Sequence, residues 1–419
     1  MKKTVARIAL LLWFITGAAH AQTDTLRIAT YNLLNFDEFT DTRLPYFRTV
    51  VHSMNPDLLI VQELVSEAAQ NRFLEEVLNS ATPGLYLKSP FIQGSDTNNS
   101  LFYKNENIAL ISTRRVRTTL RDISQYTLQV SGVEFKLYSL HLKAGFNDGD
   151  QNQRRFETTI LRNHLNELPA GSHFIVGGDF NISGSSESAF LRLTESQADN
   201  DGRLFDPLNA IGTWNNNPLF ARIHTQSTRD TVLSDDGSAG GLDDRFDMLL
   251  ISNSIRQKIG MFLLPDSYTA FGNDGRHFNL AINDRFNLAV ADSVADALFW
   301  ASDHLPVYAD FVIDLVNSVE PISQNPLAEF MLSQNYPNPF NAQTQISYSV
   351  SKAAKISLKI FNVTGQEIRT LLYGNSPAGT FRIIWDGQND RGRDVASGLY
   401  FYKFETKGVS AVRKLILLR

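Results

Sequence analysis

Short apolar, β-branched runs recur along most of this chain, and several of them stop at a polar residue. The runs occupy residues 26–30, 57–62, 108–112, 135–140, 174–178, 248–252 and 307–313. Their length suits strands better than buried helices. Amphipathic stretches at 66–80 and 152–168 lie between some of them. Clusters of Gly, Asn, Asp and Ser at 94–100, 145–152, 183–188 and 234–244 read as surface loops. Strands alternating with helices predict an α/β layered domain over residues 22–315.

The polar residues at the run ends are Asn32, Glu63, His141, Asp179, Asn181, Asp303 and His304, with Asp247 inside the run 245–250. A polar side chain at the margin of a core is costly unless it has a partner or a task. In α/β sheets such strand ends border the ligand crevice. The chain has no cysteine, which excludes disulfides, thiolate metal sites and a cysteine nucleophile. The remaining carboxylates, amides and imidazoles suit metal-assisted phosphoryl transfer. A hard cation such as Mg²⁺ takes oxygen ligands, which Glu63 and Asp303 supply as carboxylates and Asn32 as an amide oxygen or through water. The cation would polarise a phosphate oxygen. Asp179 is the candidate to orient and deprotonate the attacking water, with Asn181 fixing Asp179 or the phosphate. His304, kept charged by a carboxylate, would stabilise the pentacoordinate phosphate, and Asp247 is the candidate carboxylate. Taken singly, each residue has a bland reading: an Asp as a turn residue, Glu63 as a helix cap, His141 as a core histidine.

The segments ATYNLLNF (from Ala29), PDLLIVQEL (from Pro56), LYSLHLKAG (from Leu137), IVGGDFNIS (from Ile175), DDRFDMLLIS (from Asp243) and ASDHLPVYADF (from Ala301) resemble the six motifs of the endonuclease/exonuclease/phosphatase superfamily, in the family's order. The resemblance implies a four-layer sandwich of two mixed β-sheets flanked by helices. It also implies Mg²⁺, with Mn²⁺ or Ca²⁺ as alternatives, held around Asn32, Glu63 and Asp303. Asp179 and Asn181 would handle water and phosphate, and Asp247 would pair with His304. A histidine at the position of His141 is a feature of secreted deoxyribonuclease-like, sphingomyelinase-like and inositol-phosphatase-like members. This chain departs from pancreatic deoxyribonuclease in lacking cysteines and an obvious glutamate partner for His141. Arg229, in HTQSTRD, and Arg245, before Phe246-Asp247, stand near the expected site. They are candidates either for phosphate contact or for surface ion pairs.

The ends of the chain carry addresses. Lys2, Lys3 and Arg7, the apolar run 8–18 and Ala19-His20-Ala21 form a signal-peptide pattern over residues 1–21. That run is shorter than a bilayer span, and no other segment is long and apolar enough for one. The expectation is a monomer that is secreted or held at the cell surface after transit through the periplasm. Residues 22–315 hold 24 Lys and Arg against 37 Asp and Glu, a net charge of −13. Such a body does not hold nucleic acid by bulk electrostatics. Residues 316–328, polar with Pro321 and Pro326, read as a linker. Beyond it, alternating runs at 345–350, 354–361, 380–385 and 398–405 predict a small all-β sandwich over 329–419. NYPNPFN (from Asn335), LKIFNVTGQEIRTL (from Leu358), WDGQNDRGRDVASGLYFYKFE (from Trp385) and the closing RKLILLR resemble the C-terminal sorting domain of type IX secretion substrates, an immunoglobulin-like sandwich. That resemblance implies the type IX machinery as a partner. The reading reached from sequence is an extracellular metal-dependent phosphodiesterase with nucleic acid as substrate. Two rivals accompany it: a phospholipid or small phosphate-ester hydrolase of the same fold, and a non-catalytic surface adhesin on a nuclease scaffold.

Overall fold

The computed structural model describes residues 23–314, 330–335, 338–341, 343–350, 352–377, 379–407 and 409–418. The signal-peptide and linker expectations lie outside these residues. Two compact units divide the chain, with the boundary between Val319 and Glu320.

In the first unit the strands are β1 (Thr23–Phe36), β2 (Leu58–Leu64), β3 (Tyr86–Lys88), β4 (Asn98–Lys104), β5 (Ile108–Val116), β6 (Ile123–Val130), β7 (Val133–His141), β8 (Phe174–Asp179), β9 (Leu204–Phe205), β10 (Asp247–Ser252), β11 (Met261–Leu263), β12 (Thr269–Ala270) and β13 (Val307–Asp314). The α-helices are α1 (Leu44–Met54), α2 (Glu67–Arg72), α3 (Asp148–Asn166), α4 (Ser188–Thr194), α5 (Asn253–Arg256) and α6 (Asp292–Ala301). The first sheet runs β11-β13-β1-β2-β4-β3, with β12 also on β13, and the second β5-β6-β7-β8-β10-β9. Each sheet is antiparallel except for one central parallel pair, β1 with β2 and β7 with β8. Parallel neighbours need a crossover, and α1 and α3 provide it.

Side chains alternate across the pleat, which sets three apolar layers. Ile28, Leu58, Ile60, Leu137, Ile175 and Leu249 fill the space between the sheets. Ala29, Tyr31, Leu59 and Val61, one residue along, pack outward with Phe47, Val51 and Leu298 of α1 and α6. Tyr138, Leu140, Val176 and Leu250 pack outward with Leu161 and Leu165 of α3. Helix, sheet, sheet and helix therefore stack as the four expected layers. The loop expectations at 94–100 and 145–152 fail in part. Residues 148–152 begin α3, which Asn147 caps. Residues 98–100 open β4, because Asn98 Nδ2 donates to Leu64 O and Asn99 Nδ2 to Ser139 O. Strand neighbours satisfy the amides that made this segment read as a turn.

The register aligns the chemistry. His141 ends β7 opposite Asp179, which ends β8, and Asp179 in turn faces Asp247, which begins β10. Three residues far apart in sequence thus form one row across the margin of the second sheet. At Gly178, φ is +140° and a Cβ would meet Leu140 O at 2.0 Å, so only glycine lets β8 approach β7 closely there.

The second unit is all-β. A three-stranded sheet of β14 (Phe330–Leu332), β15 (Thr344–Val350) and β18 (Gly379–Trp385) accompanies a four-stranded sheet of β16 (Ala354–Asn362), β17 (Glu367–Ser376), β19 (Gly398–Thr406) and β20 (Val409–Leu417). Ile346, Leu358, Trp385, Tyr402, Phe404 and Leu415 form its core. Among the described residues, no helix is long and apolar enough to cross a membrane.

Candidate active site

Backbone bends at the strand ends deliver the polar side chains into one cavity of about 360 Å³. Leu34, Asn35, Glu63 and Asn181 line it and have φ near +50° to +60°. That region is uncommon for residues other than glycine, and strain of this kind concentrates at functional sites. The cavity margin is held together by the buried bridge Thr30–Gln62–Ser139. In it Thr30 Oγ1 donates to Gln62 Oε1 at 3.1 Å and Gln62 Nε2 donates to Ser139 Oγ at 2.9 Å.

Glu63, His141 and Asp179 converge most tightly, each with one potential ligand atom within 4.8 Å of the others. His141 Nε2 stands 3.5 Å from Asp179 Oδ2 and 3.8 Å from Glu63 Oε1. Asn32 joins the two carboxylates through its amide nitrogen, donating to Glu63 Oε1 at 2.9 Å and Asp179 Oδ2 at 3.1 Å. Its amide oxygen accepts from Leu34 N, so in this arrangement Asn32 positions the two carboxylates. Asn35 N fixes the other oxygen of Glu63 at 2.9 Å. Asn181 N holds Asp179 Oδ1 at 3.0 Å.

The expected His304–Asp247 pair is present, with Nδ1 and Oδ2 2.7 Å apart and both side chains buried. His304 Nε2 lies 3.8 Å from Asp179 Oδ2. Asp303 is engaged differently from Glu63: its Oδ2 accepts from Ser238 N at 2.7 Å and from Gln226 Nε2 at 3.2 Å. Its Oδ1 is buried without a protein partner, as are Asp247 Oδ1 and His141 Nδ1.

Burial and mutual repulsion make this an unusual titrating group. Burial, together with Asp247 and Glu63, raises the Asp179 carboxyl to about 7, against a partly compensating pull from His304. Burial drives His141 well below its ordinary value, helped by Arg121 and His304, so the ring is neutral and free to act as a nitrogen ligand. Burial acts in the same sense on His304, but Asp247, Asp303 and Asp179 overcome it and hold the imidazolium well above the usual range. Gln226 Nε2 lies 2.6 Å from His304 Nε2, an arrangement for a neutral ring. Charging His304 therefore requires the Gln226 amide to present its oxygen instead, an orientation equivalent in shape that exchanges its bond to Asp303 for one from His304, leaving Ser238 N on Asp303.

Two sequence candidates do not reach the cavity. Arg245 is 1% exposed and forms a two-pronged pair with Asp206, 2.8 Å on each arm, while its guanidinium lies over Trp214. Arg229 is fully buried against Asp235 and Phe299 O. Both alternatives weighed for them give way to buried structural ion pairs. In their place the structure supplies residues that the sequence reading did not single out. Gln226 and Ser238 bind Asp303, and Thr225 Oγ1 accepts from Asp247 N at 3.1 Å. Phe146 and Phe246 stand at the cavity wall.

The residues fit a divalent cation. Two carboxylates and a neutral imidazole converge on one point, buried carboxylate oxygens lack partners, and repulsion raises Asp179. All three conditions are relieved by a positive charge. Among the described residues no lysine or arginine lines the cavity to supply one.

Comparison with known proteins agrees with the fold. The profile of the Endonuclease/Exonuclease/phosphatase family matches residues 29–304, and that of the FlgD Ig-like domain matches residues 337–410. No curated protein matches significantly. Similar solved structures include D. rerio TDP2 complexed with single strand DNA product (16% identity, 68% of this chain and 98% of that one, TM-score 0.44). An endonuclease/exonuclease/phosphatase family protein from Bacteroides thetaiotaomicron is also similar (17%, 70% and 100%, 0.43), as is the human Nocturnin catalytic domain with bound sulfate anion (16%, 69% and 97%, 0.43).

Proposed function

The chain belongs to the endonuclease/exonuclease/phosphatase family, and from that membership we propose that it is a secreted phosphodiesterase that cleaves nucleic-acid phosphodiester bonds. The observation that carries the reading is the row His141–Asp179–Asp247 with His304 bonded to Asp247, which brings His141, Asp179 and His304 to the wall of one cavity. Enzymes of this family depend on divalent metals, and Glu63, His141 and Asp179 are the residues that would hold the cation. When bound, the cation polarises the phosphate and offsets charge that develops in the transition state. Mg²⁺ is the first candidate, with Mn²⁺ or Ca²⁺ behind it.

The protein groups supply the rest. Asp179, fixed by Asn32 and Asn181 N, orients the attacking water and takes its proton. His304 as imidazolium donates from Nε2 to a phosphate oxygen, while Asp247 keeps the ring charged and its face fixed. Asn181 directs its amide nitrogen to Leu142 O at 3.2 Å, which fixes its side chain in the cavity wall. Neutral His141 is unsuited to donating a proton and serves as a donor atom for the cation.

Residues 1–21 and the C-terminal unit give the proposed address. We read the first as an export signal and the second, from its motifs and the FlgD Ig-like match, as a type IX sorting domain. Incubating the mature protein with plasmid, RNA, sphingomyelin and a generic phosphodiester, with and without EDTA, tests the activity. Cleavage of nucleic acid lost on chelation, and lowered by orders of magnitude in Asp179→Ala and His304→Ala, is the expected result. Turnover in metal-free buffer refutes it, and cleavage of sphingomyelin alone moves the substrate to phospholipid.

A further inference from the structure

Phe146 is 60% exposed although it stands beside a polar, largely carboxylate-lined cavity. Isolated exposed apolar residues are ordinary, but this one is held in place from behind. Buried Arg154 donates through one nitrogen, Nη1, to both Lys143 O at 2.8 Å and Gly145 O at 2.7 Å. Its Nε is engaged by Glu187 at 2.6 Å, so the guanidinium is itself fixed. On the other side, Asn147 Oδ1 accepts from Asp150 N at 3.0 Å and caps α3. Gly145 sits at φ +106°, where a Cβ would meet Asp150 Oδ2 at 2.2 Å, so the chain enters Phe146 by a turn only glycine permits. The ring lies 6.3 Å from that of Phe246, tilted by 41°, and Phe246 is 4% exposed. An exposed ring thus rests on a buried one at the end of a clamped loop, next to His141 and Asn181 in the cavity wall.

Resting on the phosphodiesterase reading, we propose that Phe146 is the specificity-determining residue of this site. Its ring stacks on the nucleobase that flanks the scissile phosphate. Two observations favour a base over other apolar groups. The ring is backed by a second aromatic, so it presents a flat face and not a pit that would enclose an acyl chain. The cavity offers no lysine or arginine among the described residues, and His304 is committed to the scissile phosphate, so neighbouring phosphates of a long polyanion gain nothing there and further affinity has to come from a neutral surface. Stacking requires an unpaired base with a free face. The substrate class is therefore single-stranded or terminal nucleotide, in preference to intact duplex or a phospholipid head group.

The test compares wild type, Phe146→Ala and Phe146→Trp on a single-stranded dinucleotide, on the same linkage with one base removed, and on duplex DNA. It also measures equilibrium binding of a nucleoside monophosphate and of ribose 5-phosphate in the presence of Ca²⁺. Stacking of one base predicts that Phe146→Ala lowers kcat/KM for the dinucleotide roughly 5- to 150-fold. Phe146→Trp should preserve it, and the base-free linkage should be unaffected. Nucleoside monophosphate should bind more tightly than ribose 5-phosphate in wild type and equally in Phe146→Ala. Equal losses on both linkages, or no loss on either, overturn the proposal. If wild type cleaves none of these substrates yet shows the base-dependent binding, the hydrolysis reading falls and the stacking assignment stands. If it cleaves them without base-dependent binding, the reverse holds.

Discussion

Arg245→Met separates a structural arginine from one that binds substrate. Arg245 and Asp206 are 1% and 7% exposed, so neither charge regains water when its partner is removed. Deleting one member of such a pair leaves an uncompensated buried charge and costs about 3–5 kcal/mol. For a unit of about 290 residues, an unfolding entropy of about 2.1 cal/mol/K per residue makes about 0.6 kcal/mol/K, so Tm should fall by roughly 5–8 °C. The sign of the pH dependence follows from Asp206. Burial would raise its pKa, but the charge and hydrogen bonds of Arg245 override this and hold it below the ordinary 3.8. A depressed folded-state pKa contributes stability above the unfolded value and loses it as pH falls through the folded one. The gap between wild type and variant should therefore be full near neutrality and narrow in acid. Adding Asp206→Leu should recover most of the loss, since removing both charges avoids the uncompensated one. Thermal unfolding monitored by circular dichroism, paired with kcat/KM at 25 °C, reads both quantities. An unchanged Tm with a raised KM would refute the structural assignment and return Arg245 to the substrate site.

Glu63→Gln should raise the metal concentration for half-maximal rate, because an amide keeps the shape and loses the charge a hard cation prefers. An unchanged titration removes Glu63 from the coordination shell. Asp247→Asn should lower kcat by roughly 10²–10⁴-fold with the deficit growing as pH rises. The variant loses the largest influence raising His304, and the imidazolium persists only toward acid; a flat ratio across pH would refute the pairing role. A chain ending at Leu315 should hydrolyse substrate at close to the full-length rate while remaining in the periplasm of the source cell. Normal release into the medium would refute the sorting role of the C-terminal unit.

The part of the site legible in sequence is the part carried by strands or set close beside their ends. Apolar runs fix where each strand ends, and a polar residue after such a run stands out. That is why Asn32, Glu63, His141, Asp179 and Asp247 were found, and the sheet register then brought three of them into one row. Of the residues on irregular backbone, Asn181, Asp303 and His304 stand out because they sit close beside an apolar run, while those farther from any run are not legible. HTQSTRD drew attention to Arg229, yet its neighbour Gln226 enters the site, through bridges to Asp244 and His304 that depend on tertiary pairing. The arginines mislead because their partners, Asp206 and Asp235, are ordinary loop acids until the fold buries the first, half-buries the second and sets both against buried guanidinium groups. A charged pair in sequence carries no sign of the burial that will decide its role. Asn98-Asn99-Ser100 misled in the opposite direction, since turn chemistry at the start of a strand is indistinguishable from a turn until the neighbouring carbonyls are in place. For Phe146 a usable signal was present: an aromatic directly after glycine, one loop beyond His141, with the helix cap Asn147 behind it.

This division has a consequence for how such a site can change. Asp179, Asp247 and His141 are fixed by ladder register, so moving any of them requires shifting a central strand and every buried side chain on it. The hydrolytic chemistry is accordingly tied to the most stable part of the molecule. The loops at 142–147 and 225–244 carry the groups that meet the remainder of a substrate, and their exposed side chains, such as Phe146, can vary without disturbing either sheet. Loop 142–147 is nevertheless rigid, because Arg154 holds its carbonyls. The absence of a lysine or arginine from the cavity wall among the described residues acts in the same direction. With six carboxylates lining the cavity, substrate charge is met by the cation and the His304 imidazolium alone, and further discrimination falls to neutral contacts. Substrate preference should therefore shift with single changes at the loop surface, Phe146 above all, while the dependence on Asp179, His304 and the metal stays constant.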